Sequence, residues 1–240
     1  MKNIPILILH GWNLSSIKFV NLQQELQKKE YKVYSIDLPG FGITERPNKS
    51  LFLSDYVKYV KDFLIKKRIK KVILIGHSFG GRISIKLAAQ NSELLSALIL
   101  SGVPGINPVP TFKILFFLIL AKLGKFIFSL PIFSSAKDLF RKFLYKLANA
   151  TDYYNTNDYM LETFKNTVNE SLVPYMEQIS APTLLLWGAE DKMVPVEIAE
   201  KMNKLIKNSK LVVIDEARHG VPWTHSKEFT DEVGKFLRKI

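Results

Sequence analysis

One ten-residue stretch constrains the fold of this chain more than any other: Val-Ile-Leu-Ile-Gly-His-Ser-Phe-Gly-Gly, at residues 72–81. Its first four residues, Val72 to Ile75, are apolar and mostly β-branched, which is typical of a strand covered on both faces. From Phe79 onward the apolar residues recur at helical spacing. The intervening Gly-His-Ser-Phe-Gly matches G-x-S-x-G, where a strained turn exposes a serine hydroxyl above the sheet edge. The stretch therefore predicts a strand–turn–helix unit with Ser78 at its apex.

A serine hydroxyl is a poor nucleophile unaided, so a catalytic Ser78 requires a histidine base. His219 stands between the last predicted strand and the final helix and is the predicted base. His225 is the competitor, but it falls at the start of that helix, where a capping or solvent-facing role is more typical. His77, inside the turn, and His10, at the end of the first strand, suit orienting and packing roles.

A carboxylate should follow a strand between the nucleophile and the base, because the order along such a chain is serine, acid, histidine. Asp191 satisfies this order, just beyond the fifth predicted strand. The other acid position, after the fourth strand, is empty because no Asp or Glu occurs between Glu93 and Asp138. Glu190, the neighbour of Asp191, is interpreted as a surface charge. Asp191 is therefore predicted to orient the imidazole of His219.

The charge that develops on a substrate carbonyl oxygen requires hydrogen-bond donors. The backbone N–H of Phe79, directly after the nucleophile, is the first predicted donor. The second is expected from the loop after the first strand, at Trp12.

Along the chain, apolar strand patterns alternate with amphipathic helix patterns, which predicts parallel strands joined by right-handed crossovers. A length of 240 residues fits one large α/β domain. The predicted strands are Ile6–Leu9, Val33–Ile36, Val72–Ile75, Ala97–Ser101, Thr183–Trp187 and Lys210–Ile214. The predicted helices of this core include 16–29, one opening at Ser54, 195–206 and one at the C-terminus. The long gap after the fourth strand predicts a helical cap at 103–176, inserted into a core made of 1–102 and 177–240.

The predicted cap contains helices at 114–121, 135–147 and 158–168. The first is apolar on all sides, so it requires burial between the core and a substrate channel, or contact with a membrane interface. Lysines at 113, 122 and 125 bracket it too tightly for a membrane span. The residues predicted to line a substrate pocket are His10, Phe116, Phe117, Leu120 and Phe143.

Composition limits the partners, cofactors and location expected for this chain. Lysine and arginine number 34 against 22 acidic residues, a net charge of +12. The densest basic run, 66–71, lies between a helix and a strand without interleaved aromatics, so nucleic acid is not a predicted partner, whereas an anionic membrane surface or an acidic carrier protein stays an alternative. The chain has no cysteine, and its four histidines form no ligand pair, so neither a metal nor another cofactor is expected. The apolar run 4–9 is too short for a secretory signal, which favours a cytoplasmic location.

Several motifs together resemble the α/β-hydrolase fold family. They are His10-Gly11-Trp12, Asp37-Leu38-Pro39-Gly40-Phe41-Gly42, Gly76-His77-Ser78-Phe79-Gly80-Gly81, Ala181-Pro182-Thr183, Trp187-Gly188-Ala189-Glu190-Asp191 and His219-Gly220. Within the family, the chain looks similar to compact capped members with His-Gly-Trp, among them carboxylesterases such as the pimeloyl-carrier-protein methyl ester esterases. The resemblance implies a three-layer α/β fold with a mostly parallel sheet. The chain has no residues for the antiparallel hairpin that usually opens the family's sheet, so about six strands are expected.

The function expected from this pattern is hydrolysis of a small-molecule carboxylic ester, or of a lactone, through an acyl-serine intermediate. Short-to-medium acyl chains are the expected substrates. The alternatives are hydrolysis of a C–C bond or haloperoxidase-like perhydrolysis with the same three side chains, and a non-catalytic binding protein on the same fold. The last is less favoured, because such proteins commonly lose a triad residue and this chain has all three.

Overall fold

In the computed structural model of the chain, residues 3–106 and 158–240 are described. Six strands and eight α-helices lie within these two ranges. In chain order they are β1 (Ile6–Leu9), α1 (Val20–Lys28), β2 (Val33–Ile36), α2 (Leu53–Lys66), β3 (Val72–His77), α3 (Phe79–Gln90), β4 (Leu95–Ser101), α4 (Asp158–Asn169), α5 (Val173–Met176), β5 (Thr183–Gly188), α6 (Val196–Leu205), β6 (Ser209–Ile214), α7 (Val221–Thr224) and α8 (Ser226–Leu237). Short 3-10 helices at Ser16–Phe19 and Ser92–Leu94 precede α1 and β4.

The strands form one sheet in the order β2-β1-β3-β4-β5-β6, and every pairing between them is parallel. The chain moves outward from β1 to β2 and then returns to the other side of β1 to form β3. The strand order therefore reverses between β1 and β3. In open α/β sheets, ligands bind outside the carboxyl ends of the strands at such a reversal. A ligand site is therefore expected at the residues that follow β1 and β3.

Both faces of the sheet are covered, which makes the fold three-layered. All four residues of β1 are fully buried, and their side chains alternate between two separate cores because successive residues of a strand point to opposite faces. Ile6 and Ile8 pack in a core with apolar residues of α1 and α8. Leu7 and Leu9 pack in the other core, with residues of α2, α3 and α6.

The predicted three-layer fold with six parallel strands is confirmed, and the differences lie at element ends. β3 continues through Gly76 and His77, which the sequence placed in the turn, because they pair with Leu100 and Ser101 of β4. The predicted helix at 16–29 begins as a 3-10 helix and becomes α-helical only at Val20. Apart from these element ends, the short helices α5 and α7 were not predicted.

Part of the predicted insertion lies in the described residues. The third predicted cap helix, 158–168, is confirmed as α4. The helices predicted at 114–121 and 135–147 lie outside the described residues, and the boundaries 103–176 stay a prediction. Among the helices of residues 3–106 and 158–240, none combines the length and hydropathy that a membrane crossing requires.

Candidate active site

Ser78 occupies a strained turn between β3 and α3. Its backbone has φ 51° and ψ −113°, and a positive φ in a residue other than glycine costs on the order of 1–3 kcal/mol. Hydrogen bonds on both sides hold this conformation: the Ser78 N–H donates to the carbonyl of Ser101 at 2.9 Å, and the Ser78 carbonyl accepts from the N–H of Gly81 at 3.0 Å. The turn also needs a glycine at position 80, since a Cβ there would overlap the carbonyl oxygen of Leu9. The predicted turn with Ser78 at its apex is therefore present.

His219 and Asp191 meet through their side chains. His219 Nδ1 lies 2.8 Å from Asp191 Oδ2, and the exposed fractions of the two side chains are 15% and 1%. The second carboxylate oxygen, Oδ1, accepts the backbone N–H groups of Met193 at 2.9 Å and Val194 at 2.8 Å. With both oxygens engaged, the carboxylate is fixed in orientation. It can therefore fix the tautomer and direction of the imidazole.

The backbone explains why these two residues meet. Asp191 follows β5 and His219 follows β6, and the two loops are hydrogen-bonded to each other. The N–H of Ala189 donates to the carbonyl oxygen of Ile214 at 2.9 Å, and the N–H of Glu190 donates to the carbonyl oxygen of Ala217 at 2.9 Å. Adjacent parallel strands thus deliver the acid and the histidine to the same edge of the sheet.

His219 also lies beside the turn that carries Ser78. Its ring centroid is 4.8 Å from that of His77, the residue directly before Ser78. A Cβ on Gly102, just after β4, would approach His219 Nδ1 to 2.9 Å and His77 Cε1 to 3.3 Å. Within the described residues no hydrogen bond joins Ser78 to His219. Such bonds are often long or poorly aligned before substrate binds.

The competing residues lie elsewhere. His225 precedes α8, where its Nδ1 is 2.8 Å from the hydroxyl of Thr224. Glu190 is half exposed at the surface, where its carboxylate lies 3.5 Å from Arg218 Nε. Neither has a contact with Asp191 or His219 in the described part of the chain that would give it a place in the site.

The loop after β1 lies against the turn of Ser78. A Cβ on Gly11 would lie 3.2 Å from Ser78 Cβ, and the rings of Trp12 and Phe79 meet edge to face with centroids 5.2 Å apart. Among the described residues, neither Trp12 nor Phe79 donates its backbone N–H to another backbone group. Trp12 and Phe79 therefore lie beside Ser78, and their assignment as oxyanion donors stays a prediction.

His10 has a packing role rather than an exposed place in a pocket. Its side chain is fully buried; its Nδ1 donates to the carbonyl of Gly11 at 2.8 Å, while its Nε2 accepts the N–H of Leu38 at 2.9 Å. Burial lowers the pKa of this histidine. It joins the loop after β1 to the loop after β2. The other predicted pocket residues, Phe116, Phe117, Leu120 and Phe143, lie outside the described residues.

His77 has a more specific environment than its sequence position indicated. It is fully buried between the rings of Phe19, Trp223 and His219, and neither of its ring nitrogens has a hydrogen-bond partner among the described residues. Burial, assisted by the neighbouring His219, holds the pKa of His77 well below its ordinary value. His77 is thus a neutral ring that supports one side of His219.

Asp37 and Arg82 are two residues near the site whose contacts the sequence did not reveal. The carboxylate of Asp37 accepts the N–H of Ser16 at 2.6 Å and the N–H of Ile43 at 2.9 Å. Burial opposes its ionisation, but the two backbone donors outweigh burial and lower its pKa. The Asp-Leu-Pro-Gly-Phe-Gly motif was the sequence signal available for Asp37. Arg82 had no such signal, because its partners are backbone carbonyls of distant residues.

In the described residues, no group of three or more His, Asp or Glu side chains is arranged to hold a metal ion.

Three relatives cover nearly all of the chain. Putative esterase/lipase 2 of Mycoplasma pneumoniae is 28% identical and covers 100% of this chain and 91% of its own length. The pimeloyl-[acyl-carrier protein] methyl ester esterase of Aliivibrio fischeri is 24% identical, with coverages of 98% and 93%. The 2-hydroxy-6-oxononadienedioate/2-hydroxy-6-oxononatrienedioate hydrolase of Cupriavidus pinatubonensis is 25% identical, with coverages of 97% and 86%.

A solved structure shares the fold. The esterase EaEST from Exiguobacterium antarcticum superimposes with a TM-score of 0.75 at 19% identity, and the match covers 98% of this chain and 92% of that one. Residues 4–226 match the family model described as alpha/beta hydrolase fold. This match spans the strained serine turn and the Asp191–His219 pair, and the chain belongs to the α/β-hydrolase fold family.

Proposed function

We propose that this hydrolase cleaves carboxylic esters through an acyl-serine intermediate on Ser78. The observation that carries the proposal is the 2.8 Å contact between His219 and Asp191, placed beside the strained turn that presents Ser78. Acyl transfer to serine requires a fixed carboxylate, an imidazole bound to it and a serine hydroxyl that the substrate can reach.

The first half of the reaction acylates Ser78. Its Oγ attacks the ester carbonyl carbon while His219 Nε2 accepts the hydroxyl proton, and Asp191 stabilises the imidazolium that forms. The carbonyl oxygen becomes an oxyanion and accepts hydrogen bonds from the N–H groups of Trp12 and Phe79. As the tetrahedral intermediate collapses, the C–O bond to the alcohol breaks. His219 returns the proton to the departing alkoxide, which leaves as the alcohol.

The second half of the reaction releases the acid. A water molecule gives a proton to His219 and attacks the acyl carbon of the ester on Ser78. The same N–H groups bind the second oxyanion. The carboxylic acid departs and Ser78 Oγ recovers the proton from His219. A lactone would follow the same steps, with the alcohol and the acid remaining parts of one product.

The substrate proposed is a small-molecule ester with a short-to-medium acyl chain. The apolar sequence at 114–121 supports an acyl pocket, since each buried methylene contributes about 0.8 kcal/mol. The Aliivibrio relative, by its name, acts on an ester attached to an acyl-carrier protein. The net charge of +12 on this chain makes an acidic carrier a second form in which the same ester could be presented.

Hydrolysis of a C–C bond is the second candidate, and the Cupriavidus relative favours it. The same serine, acid and histidine would then act on a ketone-bearing dienoate instead of an ester. A direct test compares p-nitrophenyl esters of increasing chain length, several lactones and a 2-hydroxy-6-oxo-dienoate on the wild-type protein and on Ser78→Ala. Turnover of esters or lactones that disappears in Ser78→Ala supports the proposal. Turnover of the dienoate alone would contradict ester hydrolysis and support C–C bond hydrolysis.

A further inference from the structure

Arg82 lies on α3, one turn after Ser78. The residue is only 3% exposed. Its guanidinium donates to four backbone carbonyls: those of Pro104, Thr167, Val168 and Glu170, with Nε–O 3.0 Å to Thr167 and Nη2–O 3.4 Å to Val168. Burial lowers the pKa of Arg82 to about 10, so the side chain stays charged at neutral pH.

These four carbonyls lie at two places in the segment between β4 and β5, here called its two junctions: one just after β4, and one at the end of α4, before α5 and β5. Pro104 follows β4. Thr167 and Val168 belong to the last turn of α4, and Glu170 follows it. The last carbonyls of a helix have no partner inside the helix and carry its partial negative charge, so a guanidinium there satisfies and neutralises them. One side chain on α3 thus binds the chain just after β4 and again at the end of α4.

The same helix α4 contacts the loop that supplies a proposed oxyanion donor. The ring of Phe164, on α4, packs edge to face on Trp12 with centroids 4.9 Å apart, and Trp12 packs in turn on Phe79. The hydroxyl of Thr163 accepts the N–H of Leu51 at 2.8 Å. A shift of α4 would therefore reach Trp12 directly through Phe164.

We propose that Arg82 is a positioning residue for the loop after β1, which contains Trp12. By binding carbonyls at both junctions, Arg82 holds α4 on α3, so that Phe164 keeps Trp12 in place. The catalytic part of this inference rests on the proposed function, because it assigns Trp12 as an oxyanion donor. A lysine cannot replace Arg82 fully, since an ammonium lacks the planar fork that reaches several acceptors at once.

Lys86 offers a matched control on the same face of α3, one turn further along. It is buried and forms an ion pair with Glu170, Nζ–Oε1 2.6 Å. Lys86→Met removes this contact near the same junction and leaves the carbonyl contacts of Arg82 intact. It separates the loss of one buried cation near α4 from the loss of the guanidinium that binds both junctions.

The test measures kcat and KM for the best ester in Arg82→Met, Phe164→Ala, the double variant and Lys86→Met. The concentration of active sites in each preparation is determined separately, by fluorophosphonate labelling of Ser78, and kcat is expressed per active site. Arg82→Met should lower kcat about 10- to 100-fold, since a misplacement of about 1 Å can cost this much. Phe164→Ala should lower kcat comparably. The double variant should lie within about 3-fold of the worse single variant, because both act through the same contact. Lys86→Met should lie within about 2-fold of wild type, because it leaves the carbonyl contacts of Arg82 in place.

Two outcomes would overturn the inference. One is a lower melting temperature in Arg82→Met with kcat per labelled site unchanged, which would leave Arg82 a purely stabilising residue. The other is a double variant whose losses multiply, which would make Arg82 independent of Phe164. If Arg82→Met does not fold, Arg82→Lys in the same cycle with Phe164→Ala decides between the same outcomes.

A second readout does not depend on ester hydrolysis. The fluorescence of Trp12 is obtained as the difference between each protein and the same protein carrying Trp12→Phe. In Arg82→Met this difference spectrum should shift to longer wavelength, and acrylamide should quench the Trp12 fluorescence more strongly. In Lys86→Met both the spectrum and the quenching should match the wild type. An unchanged spectrum in Arg82→Met would overturn the inference. If wild-type protein hydrolyses no ester while the spectrum shifts as expected, the proposed function fails and the positioning of Trp12 by Arg82 stands.

Discussion

His219 Nδ1 lies 2.8 Å from Asp191 Oδ2, and the other oxygen of that carboxylate is held by two backbone N–H groups. The pair is therefore oriented before any substrate arrives. This preorganisation distinguishes Asp191 from its neighbour Glu190, which is half exposed and points to Arg218.

Asp191→Asn should lower kcat/KM for ester hydrolysis by about 10³-fold or more. An amide has no charge to stabilise the imidazolium, and it can hold His219 in the wrong tautomer. Steady-state kinetics with a p-nitrophenyl ester measure the loss. Glu190→Gln is the matched control and should keep wild-type turnover. Equal damage from the two substitutions would contradict the assignment of Asp191.

His219→Ala combined with Ser78→Ala should be little worse than either single variant, because residues of one catalytic unit are strongly non-additive. Each single variant should lose about 10³-fold or more in kcat. His225→Ala tests the competing histidine and should retain activity, since His225 contacts Thr224 outside the site. If His225→Ala is the more damaging change, His219 is not the base.

Stability should fall as the pH drops below about 6.5, the ordinary value for a histidine in an unfolded chain. The pKa values of buried His77 and His10 are lowered in the folded protein. Below pH 6.5 the unfolded chain therefore binds protons that the folded chain does not. Each such histidine lowers the free energy of unfolding by up to about 1.4 kcal/mol per pH unit until the folded pKa is reached.

His77→Phe should remove part of this dependence, because a buried apolar ring replaces a histidine that would otherwise be protonated on unfolding. Urea unfolding at pH 7.5, 6.5, 5.5 and 5.0 gives the slopes. His225→Phe, which changes a histidine outside this ring cluster, is the matched control. An identical slope in His77→Phe and wild type would show that His77 is not held neutral in the folded protein.

Phe116→Asp or Phe117→Asp should reduce the preference for longer acyl chains. If the apolar stretch at 114–121 forms an acyl pocket, three further carbons would improve kcat/KM by about 30-fold over acetate, and a buried carboxylate would oppose this gain. The chain-length profile and the melting temperature are measured on one preparation of each variant. Loss of stability with an unchanged profile would show that these rings pack only against the core.

Much of the fold follows from local patterns. The strands are short apolar runs bounded by turn residues, so periodicity alone places β1, β2 and β5 at or near their observed ends. Strand ends depend on pairing, which local pattern does not contain: Gly76 and His77 read as turn residues but pair with β4. The helix α7 was not predicted because its four residues are too few to show a helical period; its Pro222 lies in the first turn, where proline is tolerated.

The site divides in the same way. Ser78, Asp191 and His219 could be named because their chemistry demands certain residue types in a fixed order after certain strands. The contacts of Arg82 could not be predicted, since its partners are backbone carbonyls of distant residues, and every residue type has such a carbonyl. His77 is intermediate: its position in G-x-S-x-G was visible, but its burial among Phe19, Trp223 and His219 depends on three separate segments packing together.

The most direct measurement is the site of covalent labelling by a fluorophosphonate, which traps a serine only where a base and oxyanion donors activate it. Intact-mass analysis should show one adduct per wild-type chain, and peptide mapping should place that adduct on Ser78. Ser78→Ala should show none, while His219→Ala should label far more slowly. A wild-type adduct on another residue, or undiminished labelling of Ser78→Ala, would contradict the assignment of Ser78 as the nucleophile.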